Sequence, residues 1–335
     1  MSAAPRFGVI GTGSLGYHHA RLGKAICGDS FAGFYEANAE RAATVERELG
    51  IKAFPSISTL LDATDAVSIV VPTKAHFAVA REAIAAGKHV LIEKPITATL
   101  DEADELLALA ERTGVIVQIG HIERFNRAIR AAAPYIDGPL FLDSDRLAPF
   151  NPRGADVAVV LDLMIHDIDL LLSLVGSKVR DVSAAGIPVL TPSVDIANAR
   201  IAFENGAVAT ITASRVSRDR MRKLRIFQRN GYLSLDLGAG TGELFRMKPG
   251  LDLASLAKAA QPLEAFVERV ALEAPEGEPL RLEIENFVNA LRGVGTVKVT
   301  GQDGRDALAV ALRIVHDIER ALPGVAALRG GAPCA

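Results

Sequence analysis

Four polar side chains recur at helical spacing in a mostly apolar stretch of this chain, Asp162, His166, Asp169 and Ser173 within residues 161–173. At 3.6 residues per turn they fall in a narrow stripe on one side of a helix. An imidazole one turn from carboxylates is a set for moving protons: the ring titrates near neutral pH, and a neighbouring carboxylate orients it and raises its basicity. A lean amphipathic surface helix would show the same pattern, and the stretch alone does not choose. A second set lies near the start, Gly11-Thr12-Gly13-Ser14-Leu15-Gly16 directly after the apolar run Phe7–Ile10. In a strand-turn-helix setting such glycines allow a tight turn, close backbone approach to a pyrophosphate and close helix packing. The next apolar run, Phe31–Tyr35, ends in Glu36, 20 residues after Gly16. A carboxylate there suits an adenosine ribose and repels a 2′-phosphate, so NAD is expected over NADP.

The elements that must carry these residues alternate. Helical patterns are expected to Leu22, over Arg41–Leu49, over Ala75–Ala86 and over Leu100–Arg112, with strands at Ala66–Val71, Lys88–Glu93 and Val115–Ile119 between them. Repeated strand-helix units imply a doubly wound parallel sheet of the Rossmann type, whose ligands bind beyond the carboxyl ends of the strands. The polar residues at those ends are Glu36, Thr73, Glu93, Lys94 and His121.

After about residue 121 the grammar changes. Strands are expected at 140–145, 178–190, 195–203 and 207–216, the last two joined through Glu204-Asn205-Gly206, and a hairpin closes around Asn230-Gly231. Residues 251–279 read as irregular with helical pieces, followed by helices over 280–292 and 304–321. The expected organisation is an α/β chain: an NAD-binding Rossmann domain over 1–121, an α+β domain with a largely antiparallel open sheet for substrate and oligomerisation over 122–328, and a disordered tail over 329–335.

Composition sets limits. The 335 residues are 49% hydrophobic and 23% charged, with a formal charge of -3. That balance supplies no global basic field for nucleic acid or an anionic membrane. Only Cys27 and Cys334 are present, without metal-ligand spacing, so no metal is expected and a reducing cytoplasm fits. Neither a signal peptide nor a membrane span is expected.

The glycine loop, the run Ala86-Gly87-Lys88-His89-Val90 leading to Glu93-Lys94-Pro95, Thr73 with His76, the Asp162-to-His166 spacing and residues 299–304 together resemble the Gfo/Idh/MocA family of NAD(P)-dependent oxidoreductases. The resemblance spans nearly the whole chain. It implies that Lys94 and His166 meet at the nicotinamide and substrate with Asp162 beside them, while Glu93 and the Gly11–Gly16 loop serve the cofactor. Many members carry a glycine-rich lead-in and a glycine between the aspartate and the histidine; here the lead-in is Arg153-Gly154-Ala155-Asp156-Val157, and Met164 lies between Asp162 and His166. Together with residues 120–126 and 214–217, this resembles a nucleotide-sugar branch. The implied reaction is oxidation of carbon 3 of UDP-N-acetylglucosamine, with an aminotransferase taking the keto sugar on towards diamino-sugar lipid A. Another sugar or polyol, or a non-catalytic NAD sensor, are the alternatives.

Oxidising a secondary alcohol needs a base for the hydroxyl proton and a cation for the developing alkoxide. His166 fits the first and Lys94 the second, and the two are able to share the step. His76 is either a cofactor contact or a surface residue at a helix start. His18 and His19 are expected to serve helix packing or solvent. His121, Glu123 and Arg124 are candidates for the substrate, with Glu123 and Arg124 pairing with each other as the alternative. Arg146, Asn151, Arg153 and Asp169 are further candidates, and Asp167, off the stripe, is read as a structural partner. The basic run from Arg215 to Arg225 reads as a solvated strand face, a diphosphate site or a subunit contact, with Arg215 as the substrate candidate. A homodimer or homotetramer through the C-terminal sheet is expected.

Overall fold

The computed structural model describes residues 4–151, 157–248 and 266–321. Arg153, residues 251–265 and the expected tail 329–335 lie outside them. The chain divides into two compact units, Met1–Phe125 with Gly277–Leu308, and Asn126–Glu276 with Ala309–Ala335.

The first unit alternates β1 (Phe7–Ile10), α1 (Ser14–Cys27), β2 (Phe31–Tyr35), α2 (Ala39–Leu49), α3 (Ile57–Asp62), β3 (Ala66–Ile69), α4 (Thr73–Ala85), β4 (His89–Glu93), α5 (Leu100–Thr113) and β5 (Val117–Gly120). The strands form one parallel sheet in the order β2-β1-β3-β4-β5. β1, β3 and β5 are buried at every residue, which is why their sequences are short apolar runs without alternation. Helix ends follow local chemistry. Asn38 caps α2 by accepting the Arg41 N–H, and Thr99 forms a capping box with Glu102 at α5. The chain order reverses between β1 and β3, where a sheet of this kind opens a crevice beyond its strand ends. α3 was not foreseen: six residues are too few to show a period, although its Ser56–Thr59 capping box is legible in retrospect.

The second unit holds α6 (Arg127–Ala132), β6 (Phe141–Leu147), a π turn over Val160–Met164 and α7 (Ile165–Val175). Seven more strands follow: β7 (Val179–Ile187), β8 (Ile196–Phe203), β9 (Val208–Ser214), β10 (Met221–Gln228), β11 (Gly231–Asp236), β12 (Thr241–Met247) and β13 (Val267–Leu272). The eight-stranded sheet runs β13-β12-β11-β10-β6-β9-β8-β7, antiparallel throughout except between β6 and β9. Inward residues such as Leu142, Ile201, Ile211, Ile226 and Leu235 are buried, and α7 packs against β6 and β9. β13 corrects the reading of 251–279 as irregular. Its run of Val, Glu, Arg and Val disguises an edge strand, and the charges pair across to β12, Glu268 with Arg246 and Arg269 with Glu243.

The chain then returns to the first unit with α8 (Pro279–Leu291) and the start of α9 (Gly301–Ala321). α8 buries Leu280, Ile284, Phe287 and Val288 in one core with Phe7, Phe34 and Leu91, the Phe287 ring edge-on to Phe7 at 6.2 Å. Such large side chains contribute about 1.5–3 kcal/mol each when fully buried. Among the described residues no helix is long and apolar enough to cross a membrane.

Candidate active site

The glycine loop is shaped by three different demands. Gly11 has φ +88°, and a Cβ there would stand 2.5 Å from the Val70 carbonyl oxygen. A Cβ on Gly16 would stand 2.0 Å from the Gly11 carbonyl oxygen, so α1 packs against the turn only as glycine. Gly13 is exposed, and a Cβ there would meet nothing within 4 Å. It precedes α1 without a side-chain cap, and the first turn of α1 contains no acidic residue. A helix start with spare N–H donors and open space in front of it is suited to a diphosphate. Ser14 and Leu15, in that first turn, are exposed.

Glu36 stands at the same end of the sheet. Its Oε2 accepts the Thr12 N–H at 2.7 Å and the Thr12 hydroxyl at 3.3 Å, and its Oε1 accepts the Asn38 N–H at 3.0 Å. The Arg41 guanidinium donates to the Thr12 carbonyl at 2.8 Å and lies over the Tyr17 ring. The glycine loop and Glu36 are therefore one hydrogen-bonded unit, and the set fits a dinucleotide.

At the next strand ends the picture is mixed. Thr73 opens α4 and is half-buried, as is Lys94 just beyond β4. His76 is turned inward, with Nδ1 2.8 Å from the Pro95 carbonyl oxygen and Nε2 2.9 Å from that of Val71. Burial lowers its pKa below the ordinary histidine value, against the opposing pull of those carbonyls. A neutral imidazole has one N–H, so one carbonyl receives a hydrogen bond and the ring ties α4 to the Lys94–Pro95 segment. This is a scaffold role; its ring nitrogens face main-chain oxygens.

Glu93 carries a buried carboxylate. Its Oε1 is 3.1 Å from Nε2 of the buried His19, whose Nδ1 is 2.8 Å from the Ser68 hydroxyl, and its Oε2 accepts the Lys94 N–H at 3.2 Å. Burial would raise the Glu93 pKa, yet hydrogen bonding and charge from His19, with help from Lys94, hold it below the usual range. A Cβ on Gly120 would stand 2.9 Å from the Glu93 carboxyl carbon, so the end of β5 leaves room for this group only as glycine. His19 was expected to serve packing or solvent; its link to Glu93 joins residues 74 apart and leaves no local signal.

His121, Glu123 and Arg124 follow β5 and are buried. The Arg124 guanidinium lies 3.7 Å from the Asp303 carboxylate at the start of α9. This pairing again crosses a long sequence separation.

In the second unit the stripe of four polar residues is not continuous. The Ile165 N–H reaches back five residues to the Val160 carbonyl, a π turn that places Asp162 outside the regular helix beginning at Ile165. The 3.6-residue period therefore does not run unbroken from Asp162 to Ser173. Exposure varies along it: Asp162 and His166 are half-buried, Asp169 is buried and Ser173 is exposed. π turns recur at functional sites.

Two expected substrate arginines are built into the interior of this unit. Arg146 donates from Nε to Asp167 Oδ2 at 2.5 Å and from Nη2 to Asp167 Oδ1 at 3.1 Å, and the Ser144 hydroxyl donates to Oδ1 at 3.0 Å. Both partners are about 5% exposed or less. Arg215 lies 3.7 Å from Asp195 and donates to the Val157 carbonyl at the lead-in to the π turn. Burial opposes ionisation of Asp195, but the N–H groups of Thr191, Val189 and Leu190 outweigh it and hold the pKa below the ordinary value. Elsewhere in the basic run Arg218, Arg220, Lys223 and Arg225 are exposed and Arg222 is half-buried, and Arg225 pairs with Asp143. Asn151 is exposed.

Residues 5–121 match the oxidoreductase family with an NAD-binding Rossmann fold named Gfo/Idh/MocA, and residues 119–234 match the C-terminal domain of the same family. The chain is 42% identical over 315 residues to the UDP-N-acetylglucosamine 3-dehydrogenase of Acidithiobacillus ferrooxidans, covering 94% of this chain and 97% of the relative. The chain belongs to the Gfo/Idh/MocA oxidoreductase family. A crystal structure of that relative, GnnA, superposes with a TM-score of 0.86 at 41% identity, covering 94% of this chain and 98% of the other. A second relative, the scyllo-inositol 2-dehydrogenase (NAD(+)) of Bacillus subtilis, is 33% identical over 245 residues, covering 65% of this chain and 69% of the relative. The chain is thus an NAD-binding oxidoreductase, with the glycine loop inside the Rossmann match and the π turn inside the C-terminal match.

Proposed function

We propose that this protein oxidises the carbon 3 hydroxyl of UDP-N-acetylglucosamine to the 3-keto sugar with NAD. The observation that carries the reading is the 42% identity, over nearly the full length of both chains, to a dehydrogenase of that specificity. Glu36 favours NAD over NADP, because its carboxylate at the end of β2 repels a 2′-phosphate and suits a free ribose diol.

The bound nicotinamide supplies the acceptor for the hydride leaving carbon 3. His166 takes the hydroxyl proton, and Asp162 orients the ring and favours its protonated form. Lys94 hydrogen-bonds the reacting oxygen and stabilises the charge that develops there. Thr12, Gly13 and the first amides of α1 hold the diphosphate of the cofactor, and Glu93 fixes the β4 end beside Lys94. The nucleotide sugar is held by residues of the second unit around Asp162 and His166, Asn151 among them, while Arg146 and Arg215 brace that wall from inside.

The keto product is a substrate for an aminotransferase, consistent with a cytoplasmic enzyme on a diamino-sugar lipid A route. We also propose self-association through the second sheet. Phe141, Phe227, Tyr232 and Phe245 are cross-strand neighbours at 5.7, 4.7 and 5.6 Å, the first pair tilted and the other two stacked, and Phe141, Met221, Phe227 and Met247 are exposed.

The test is incubation of the purified protein with NAD, UDP-N-acetylglucosamine, an aminotransferase and an amino donor, following NADH and the sugar product by mass spectrometry. The reading requires a 3-keto or 3-amino nucleotide sugar. Its absence under coupled conditions, with NADH binding intact, contradicts the substrate.

A further inference from the structure

In the second unit β8 starts beside the end of β9, and the residues just outside them are Asp195 and Arg215. Their main chains extend the ladder, the Arg215 N–H donating to the Asp195 carbonyl at 3.0 Å, and both side chains are buried. The Asp195 carboxylate organises the loop before it. Its Oδ2 accepts the N–H groups of Val189, Leu190 and Thr191 at 2.8, 2.7 and 2.8 Å, and its Oδ1 accepts the Thr191 hydroxyl at 2.7 Å. The Arg215 guanidinium has Nε 3.7 Å from Asp195 Oδ1 and donates from Nη2 to the Val157 carbonyl.

Two residues further on, the chain is held again: the Val159 N–H donates to the Val194 carbonyl at 2.9 Å. Ala158 lies between these two anchors, and its carbonyl accepts the N–H groups of Leu161 at 3.0 Å and Asp162 at 3.2 Å. The π turn therefore starts directly from the anchored stretch, and His166 follows where the Ile165 N–H closes it onto the Val160 carbonyl. Displacing a reacting group by about 1 Å costs on the order of a hundredfold in rate, so what fixes this stretch bears on the chemistry. We propose that Arg215 and Asp195 are positioning residues that clamp Val157–Val159 across the ends of β8 and β9, and so set where the π turn carries Asp162 and His166. The inference rests on the reading of Asp162 and His166 as the reacting end of the site. It gives the Arg215 guanidinium a main-chain target, in place of the diphosphate of the substrate.

Hydrogen exchange read by mass spectrometry tests the clamp without any substrate. In Arg215→Ala the amides of residues 158–166 are expected to exchange about tenfold faster than in the wild type, the scale of one lost hydrogen bond from a charged group, while β6 and β11 keep their protection. Asp195 keeps its bonds to residues 189–191 in this variant, so the fold is expected to survive; if R215A does not fold, Arg215→Met, of similar length but without a donor, takes its place. In steady-state kinetics kcat is expected to fall by about tenfold to a hundredfold, with KM for UDP-N-acetylglucosamine and the NADH dissociation constant nearly unchanged. Asp195→Asn is expected to lower kcat in the same way, and the double variant no further than the worse single one, because the two residues act as one clamp. If D195N does not fold, the Arg215 variants decide. Wild-type exchange over 158–166 in a folded Arg215 variant overturns the proposal. So does a rise in KM with kcat unchanged, which would place Arg215 on the substrate, and so do additive losses in the double variant. Absence of wild-type turnover with UDP-N-acetylglucosamine refutes the substrate reading instead, and leaves the exchange test in force.

Discussion

Arg146 grips both carboxylate oxygens of Asp167 from within the second unit, at 2.5 and 3.1 Å, and so ties β6 to the first turn of α7, next to His166. Removing one partner strands the other as a buried charge. Arg146→Ala is therefore expected to destabilise the protein by about 3–5 kcal/mol, whereas replacing both residues by apolar ones of similar volume costs much less. Urea unfolding of the single and double variants checks this. If Arg146 were chiefly a substrate ligand, R146A would raise KM and leave the unfolding midpoint in place.

The open space at Gly13 separates cofactor binding from folding. Gly13→Val adds bulk where the backbone meets no neighbour, so the melting temperature is expected to stay near the wild-type value. The same bulk stands before the uncapped start of α1, and NADH affinity is expected to fall by about tenfold or more. Gly16→Ala offers the contrast: its Cβ would collide with the Gly11 carbonyl, so stability falls along with binding. Fluorescence titration beside thermal melts distinguishes the two.

The layout of the first unit was legible in the sequence because its strands are buried on both faces, so apolar runs, glycine stops and capping residues all agree. Glu36 was placed by the same logic. The pairings that support the site were not legible, because they join distant positions: His19 to Glu93, Arg124 to Asp303, Arg146 to Asp167. The π turn was hidden for a different reason. A 3.6-residue pattern reads through Val160–Met164 without interruption, and nothing in residue type marks where a five-residue backbone bond replaces a four-residue one. β13 was missed because charge pairs across an edge strand look like a polar loop.

Lys94→Ala and His166→Ala are each expected to lower turnover by about two to four orders of magnitude. NADH affinity should change little in either. Steady-state kinetics with direct cofactor titration provides the check, and wild-type turnover in a variant removes that residue from the chemistry.

Phe227 is an exposed member of the aromatic row, stacked on Tyr232 at 4.7 Å. Phe227→Glu is expected to shift the protein towards monomer in sedimentation velocity while the far-ultraviolet spectrum is retained. An unchanged assembly would move the subunit contact elsewhere.

The most direct test of the reaction follows the hydrogen on carbon 3. With NAD and UDP-N-acetylglucosamine carrying deuterium at that carbon, the account predicts NADH one mass unit heavier and a 3-keto sugar that has lost the label. Unlabelled NADH, or no transfer from this sugar by a protein that binds NADH, would contradict it.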